Sequence, residues 1–72
     1  MAELELTVVG PIEVALNRAL EYGIRVRSWT HRKAGLVSLF VAPQYYAEAS
    51  RWYMASNSER EPGNLISIVT RR

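Results

Sequence analysis

The chain has 72 residues, a net charge of +2 and no cysteine, and all seven of its acidic residues are glutamate. A chain this short forms one small domain, residues 1–72, and without cysteine it has neither disulfides nor thiolate metal sites. Because it has a single histidine, His31, and no aspartate, a Ser-His-Asp triad and a histidine-rich zinc site within one chain are excluded. We therefore expect no metal and no cofactor.

The first strand and the first helix are predicted from hydrophobic periodicity. Apolar and polar residues alternate from Glu3 to Val9, as in a strand with one buried face. Gly10-Pro11 ends that strand, and apolar residues then recur at spacings of three and four, which predicts a helix over 11–22. Gly23 is the expected C-terminal stop of this helix.

A hairpin is predicted next. Residues 24–31 alternate again, whereas residues 36–42 are largely apolar on both faces, as in a central strand. The short polar turn between them, with Gly35 able to take a positive φ, predicts an antiparallel pair. Its basic tip, a candidate contact point, consists of His31, Arg32 and Lys33.

Pro43 is the predicted start of a second helix with a broad aromatic stripe. We expect Tyr46 and Tyr53 to be core residues, and for Tyr45 and Trp52 both the core and a contact surface remain open. A polar loop over 57–64 and a β-branched strand over 65–70 complete the pattern.

The order β-α-β-β-α-β predicts an α+β ferredoxin-like sandwich, with sheet order 4-1-3-2 and both helices on one face. Alternation then assigns side chains to the two faces of the sheet. The helix side receives Leu4, Leu6, Val8, Ile24, Val26, Val37, Leu39 and Val41. The bare side receives Glu3, Glu5, Thr7, Val9, Arg25, Arg27, Trp29, Ser38 and Phe40. The last strand adds to it either Leu65, Ser67 and Val69, or Ile66 and Ile68.

An apolar patch on the bare face predicts a homodimer, because self-association supplies the core that so short a chain lacks. In this hypothesis Trp29 and Phe40 are buried anchors, and Glu3 and Glu5 neutralise Arg25 and Arg27 across the face or across a two-fold axis. The predicted interface residues are Val9, Arg25, Arg27, Trp29 and Phe40.

Three other functions are weighed against this one. An enzyme would need a titratable pair, and Glu3 and Glu5 are better explained as solubilising charges, so we expect no catalytic residue. A single-stranded nucleic-acid module could stack bases on Trp29 and Phe40 beside the arginines, although the glutamates would repel phosphate. A viral-type inhibitor could occlude a host protein surface with the hairpin tip or the second helix, or by strand addition at the edge.

The first part of the chain resembles the ACT domain of small regulatory subunits of acetolactate synthase. The segments that carry the resemblance are the run Leu4-Glu5-Leu6-Thr7-Val8, a Gly/Pro turn, a helix ending in Tyr22-Gly23, and a strand from Ile24 to Trp29. The resemblance implies a dimeric regulatory domain that modulates a larger protein partner. It also implies effector binding at Gly10 and Ile12, although here the loop is short and Pro11 removes one amide.

These patterns together predict a non-catalytic, ACT-like regulatory or interaction domain. No apolar run approaches the roughly 18 residues that a membrane span needs, and no signal-peptide pattern opens the chain. We therefore expect a cytoplasmic protein without membrane contact.

Overall fold

The computed structural model describes residues 2–57 and 60–72, which form one antiparallel sheet and two helices. The elements in chain order are β1 (Glu3–Val9), α1 (Ile12–Glu21), β2 (Val26–His31), β3 (Leu36–Val41), α2 (Tyr46–Ala55) and β4 (Leu65–Arg71). The sheet order is β2-β3-β1-β4, so the predicted ferredoxin-like arrangement is confirmed.

Several predicted boundaries move inward, and the starts of α2 and β2 move furthest. The segment from Pro43 to Tyr45 is a 3-10 turn, and α2 begins only at Tyr46. The strand predicted from residue 24 begins at Val26. The hairpin turn is as predicted, with Gly35 at φ 75°, and Ala34 also takes a positive φ of 61°.

The core lies between the helices and one face of the sheet. Every side chain that alternation assigned to the helix side is buried there, with Val26 only partly covered. Alanines face the sheet from both helices, namely Ala15, Ala19 and Ala49. Their small size leaves the space that the larger β-strand side chains fill.

Trp52 is the largest fully buried side chain among the described residues. Its ring stacks on Tyr22 with centroids 5.8 Å apart, and its Nε1–H donates to the carbonyl of Gly63 at 3.0 Å. Trp52 therefore joins α2 to α1 and to the segment before β4.

The expected burial of two tyrosines is wrong. Tyr46 and Tyr53 are 55% and 50% exposed, whereas Trp52 is buried and Tyr45 packs against the core. Both rows of the aromatic stripe contain Ala49, so periodicity does not choose between them. The row that contains Trp52 is buried because its indole N–H finds an acceptor there.

The connection from α2 to β4 is held by polar contacts. Ser56 Oγ accepts from the amide of Leu65 at 3.0 Å, and the side-chain amide of Asn64 donates to Asn57 Oδ1 at 2.8 Å. Residues 58 and 59 of the predicted loop lie outside the described residues.

The two tryptophans provide a matched test of this packing. Trp52→Ala should lower the free energy of unfolding by about 3–5 kcal/mol. Trp29→Ala should cost less than about 1 kcal/mol, because Trp29 is 45% exposed. Urea unfolding measures both values. Trp52→Phe, a milder change, should still lower the free energy of unfolding by about 1–3 kcal/mol because it leaves the carbonyl of Gly63 without its donor. Equal losses for Trp52→Ala and Trp29→Ala would contradict the assignment of Trp52 to the core.

Candidate functional site

The face of the sheet opposite the helices, here called the open face, is mostly polar. In β1 and β3 it carries Glu5 opposite Phe40 and Thr7 opposite Ser38. In β4, the strand that alternation left open, Ser67 and Val69 share this face with Thr7 and Glu5. Leu65 is instead buried in the core, because a bulge shifts the register before Ser67.

Glu5 is the centre of a charged network on the open face. Its carboxylate Oε2 accepts from Arg32 Nη1 at 2.9 Å and from Ser38 Oγ at 2.8 Å, and Oε1 accepts from Arg71 Nε. Only 4% of Glu5 is exposed, although no helix covers this face. The arginine side chains, which arrive from opposite sides of the sheet, provide part of that cover.

This network holds Glu5 ionised. The hydrogen bond from the Ser38 hydroxyl lowers the pKa of Glu5 below its ordinary value, and Arg71 and Arg32 add to that effect. Burial acts in the opposite direction and is outweighed. A carboxylate held ionised by three donors does not donate a proton near neutral pH. These contacts therefore indicate a structural role for Glu5.

Of the predicted pairing of Glu3 and Glu5 with Arg25 and Arg27, only the contact between Arg27 and Glu3 is present, and Glu5 pairs instead with Arg32 and Arg71. Arg27 Nη1 lies 4.0 Å from Glu3 Oε1, and both side chains are partly exposed. Arg25 precedes β2 and is exposed, and it lines a shallow cleft of about 260 Å³ together with Gln44 and Tyr45. The predicted interface arginines are therefore separated into one paired and one solvated residue.

The predicted patch of Trp29, Phe40 and Val9 is wrong. The register of β2 shifts between Val26 and Ser28, so Trp29 lies opposite Leu39, on the helix side of the sheet. The ring of Trp29 contacts His31, two residues on, with centroids 5.2 Å apart. This one-residue bulge reverses the face of every later residue in the strand.

The other two members of that patch stay on the open face without forming an apolar surface. Val9 lies opposite Leu36 and is only 8% exposed. Phe40 is half-buried beside Glu5 and Ser28. An apolar sheet-face dimer therefore has no exposed aromatic pair on which to form.

The hairpin tip and the first loop also differ from the expectations. Arg32 turns back to Glu5, which leaves Lys33 as the cation of the tip with no described partner.

In the loop after β1, the amide of Gly10 donates to the carbonyl of Gly35 at 2.7 Å, so it is already occupied. Ile12 packs against the core. The Gly10 amide and the Ile12 side chain are thus both engaged within the chain.

A cleft of about 480 Å³ lies between α2 and the free edge of β4. The residues that line it are Tyr46, Ser50, Tyr53, Met54, Ile66, Ser67 and Ile68. Together with the exposed Val69 on the open face of the same strand, we call them the edge strip. Its exposed apolar members are Tyr46, Tyr53, Met54 and Val69, of which Met54 is 80% exposed. Large apolar side chains exposed side by side are typical of a binding surface.

Sequence reasoning missed the partners of Glu5 and the edge strip. A glutamate between Leu4 and Leu6, in a strand predicted to be central, was the available signal, because a buried carboxylate needs donors. Arg71 follows Ser67 and Val69 at the two-residue spacing of one strand face. The edge strip has no comparable signal, since its exposure depends on which aromatic row of α2 is buried.

No family model matches this chain, and no curated protein or solved structure is significantly similar to it. Among residues 2–57 and 60–72, no helix is long and apolar enough to cross a membrane, and no group of three or more potential metal ligands converges.

Two glutamates of β1 form a matched pair for testing the network. Glu5→Gln should lower the free energy of unfolding at pH 7 by about 1–3 kcal/mol, because charge-assisted hydrogen bonds are lost. Glu3→Gln should change it by less than about 1 kcal/mol, since its ion pair is long and partly exposed. Urea unfolding across a pH series measures both.

The pH dependence has a definite sign. The pKa of Glu5 is lower in the folded state, so its stabilisation is complete above the ordinary value near 4.5 and is lost as the pH falls through the folded value. The stability difference between wild type and Glu5→Gln should therefore shrink below about pH 4.5. A difference that stays constant with pH would contradict the network.

Proposed function

We propose that this chain is a non-catalytic, ACT-like regulatory or interaction domain that acts in the cytoplasm by binding a protein through its edge strip. The observation that carries the proposal is the concentration of exposed apolar side chains along α2 and β4. Four of the six large apolar side chains that are exposed among the described residues belong to this strip: Tyr46, Tyr53, Met54 and Val69. The other two, Leu20 and Trp29, lie on different elements.

The state of the open face supports a non-catalytic role. Acid–base catalysis needs a group that exchanges protons near the working pH and reaches a substrate. Glu5 meets neither requirement, because it is buried and its pKa is lowered by its donors. Ser38, the nearest hydroxyl, donates to Glu5 and is fully buried, so a substrate cannot reach its oxygen.

The arrangement of aromatic and basic residues supports protein binding over nucleic-acid binding. Single-stranded nucleic acids need stacking rings and cations on one surface. Trp29 and Phe40 are on opposite faces of the sheet, and Arg27, Arg32 and Arg71 already contact glutamates. The edge strip, in contrast, is aromatic and apolar without arginine or lysine, a composition that protein interfaces favour.

Photo-crosslinking in the cells that make the protein tests this proposal. Benzoylphenylalanine replaces Tyr53 in the edge strip in one variant and Leu20 on α1, which is 74% exposed, in the control. We expect irradiation to give discrete protein adducts from position 53 and none from position 20.

The identity of the crosslinked protein distinguishes a regulatory domain from an inhibitor. A larger enzyme or complex supports a regulatory domain, and a host protein whose active surface is covered supports an inhibitor. Adducts that form equally at positions 20 and 53, or that disappear with nuclease treatment, would overturn protein binding by the edge strip.

A further inference from the structure

We propose that the cleft at the start of β2 binds the phosphate group of a small phosphate monoester. This cleft, here called the arginine cleft, has a volume of about 260 Å³ and is lined by Arg25, Val26, Arg27, Ala42, Gln44 and Tyr45. The sheet order places β2 and β4 at opposite edges of the sheet. Ligand binding here is therefore a further activity, independent of protein binding by the edge strip.

One wall of the arginine cleft is a short stretch of backbone that carries both arginines. Arg25 immediately precedes β2, and Arg27 is the extra residue of the bulge between Val26 and Ser28. A bulge redirects a side chain out of the regular alternation of its strand. Val26, between the two arginines, packs against the core. The core thus anchors the backbone from which both guanidinium groups reach the cleft.

The other wall is the 3-10 turn from Pro43 to Tyr45. Tyr45 packs against the core, and its amide donates to the carbonyl of Ala42 at 3.1 Å. Both walls are therefore held by the fold itself. A ligand does not have to order them, which lowers the entropic cost of binding.

The side-chain donors of the arginine cleft are free for a ligand. Among residues 2–57 and 60–72, the side chains of Arg25, Gln44 and Tyr45 have neither a hydrogen-bond partner nor an ion-pair partner. Arg27 Nη1 lies 4.0 Å from Glu3 Oε1, which is longer than the roughly 2.7–2.9 Å of a charge-assisted hydrogen bond. Guanidinium, amide and hydroxyl donors thus surround one cleft without acceptors.

The charge of the arginine cleft selects an anion. Two of its lining residues are arginines and none is acidic. Glu3 offsets part of this charge from outside the lining, and its partial exposure to water screens that effect. A cleft lined by charges of one sign concentrates ions of the opposite sign.

A phosphate monoester matches this set of donors better than a carboxylate does. It carries a charge of about −1.5 to −2 at pH 7 and has three strong acceptor oxygens. Two guanidinium groups supply two positive charges and two planar sets of donors, so they can bind different oxygens of one phosphate. A carboxylate has one charge and two oxygens, which a single guanidinium group already satisfies.

The size and isolation of the arginine cleft favour a small molecule over a nucleic acid. Its volume is below the roughly 300–1,000 Å³ of most ligand pockets, so it holds one phosphate group with a small substituent. Nucleic acids need cations that follow their backbone. Lys33, the unpaired cation of the hairpin tip, lies beyond the far end of β2, whose six residues span roughly 20 Å.

Nuclear magnetic resonance titration of the wild type with glycerol 3-phosphate tests this site. At pH 7 and constant ionic strength, we expect saturable shifts of the amide signals of Arg25, Val26, Gln44 and Tyr45. Inorganic phosphate should shift the same signals with equal or lower affinity, because it has the phosphate group without the substituent. Acetate should bind at least about tenfold more weakly.

Two arginines form a matched pair of variants for the same titration. Arg25→Gln should weaken the binding of glycerol 3-phosphate at least about tenfold, because charge-assisted hydrogen bonds are lost. Arg60→Gln removes the same charge at the other end of the sheet, where Arg60 donates to the carbonyl of Ala34 at 3.4 Å, and should leave the affinity unchanged. Circular dichroism shows that both variants are folded.

Glu3→Gln tests the cleft by a gain of affinity. The substitution removes the carboxylate nearest to Arg27 Nη1, so it should tighten the binding of glycerol 3-phosphate about two- to fivefold. A loss of folded structure cannot produce this result. Unchanged or weaker binding by Glu3→Gln would contradict the participation of Arg27.

Four further outcomes would overturn the proposal. They are shifts that do not saturate or that lie at the hairpin tip, equal weakening by Arg25→Gln and Arg60→Gln, acetate or inorganic phosphate binding more tightly than glycerol 3-phosphate, and a single-stranded oligonucleotide binding at least about tenfold more tightly through the same residues. Crosslinking from position 53 should be the same in Arg25→Gln as in the wild type. A failure at the arginine cleft therefore leaves the proposed function standing, and the reverse also holds.

Discussion

The buried carboxylate of Glu5 is the interaction on which the rest of this small structure depends. It lies in β1 between Leu4 and Leu6, which are both in the core, so a slip of one residue would bury the charge beneath the helices. Its donors are Ser38 of β3, Arg32 beyond β2 and Arg71 of β4. One side chain thus sets the face of the central strand and connects it to every other part of the sheet.

The same network decides which surfaces remain for partners. Arg32 and Arg71 share the carboxylate of Glu5, and Arg27 lies near Glu3, so these three arginines already contact glutamates within the chain. The open face is consequently polar and internally satisfied. The exposed apolar residues lie elsewhere, along α2 and the edge of β4, where neither helix nor strand covers them.

The two edges of the sheet differ in their charge and in the side chains that lie beside them. Both edge strands contain a bulge, but the β2 edge lies between Arg25 and Lys33, whereas the β4 edge is uncharged from Leu65 to Thr70 and lies beside the tyrosines of α2.

The sequence by itself determined the element order, the sheet order and the helix-facing residues, because periods of 2.0 and 3.6 and the Gly and Pro signals agree along the chain. It did not determine the face of Trp29, which a one-residue bulge reversed, nor which aromatic row of α2 is buried, since Ala49 belongs to both. Only the tertiary structure decided these points. A bulge depends on how β2 meets β3, and the buried row depends on the acceptor that Gly63 offers to Trp52. The candidate surface follows from the choice of buried row, because local periodicity cannot specify contacts between residues distant in sequence.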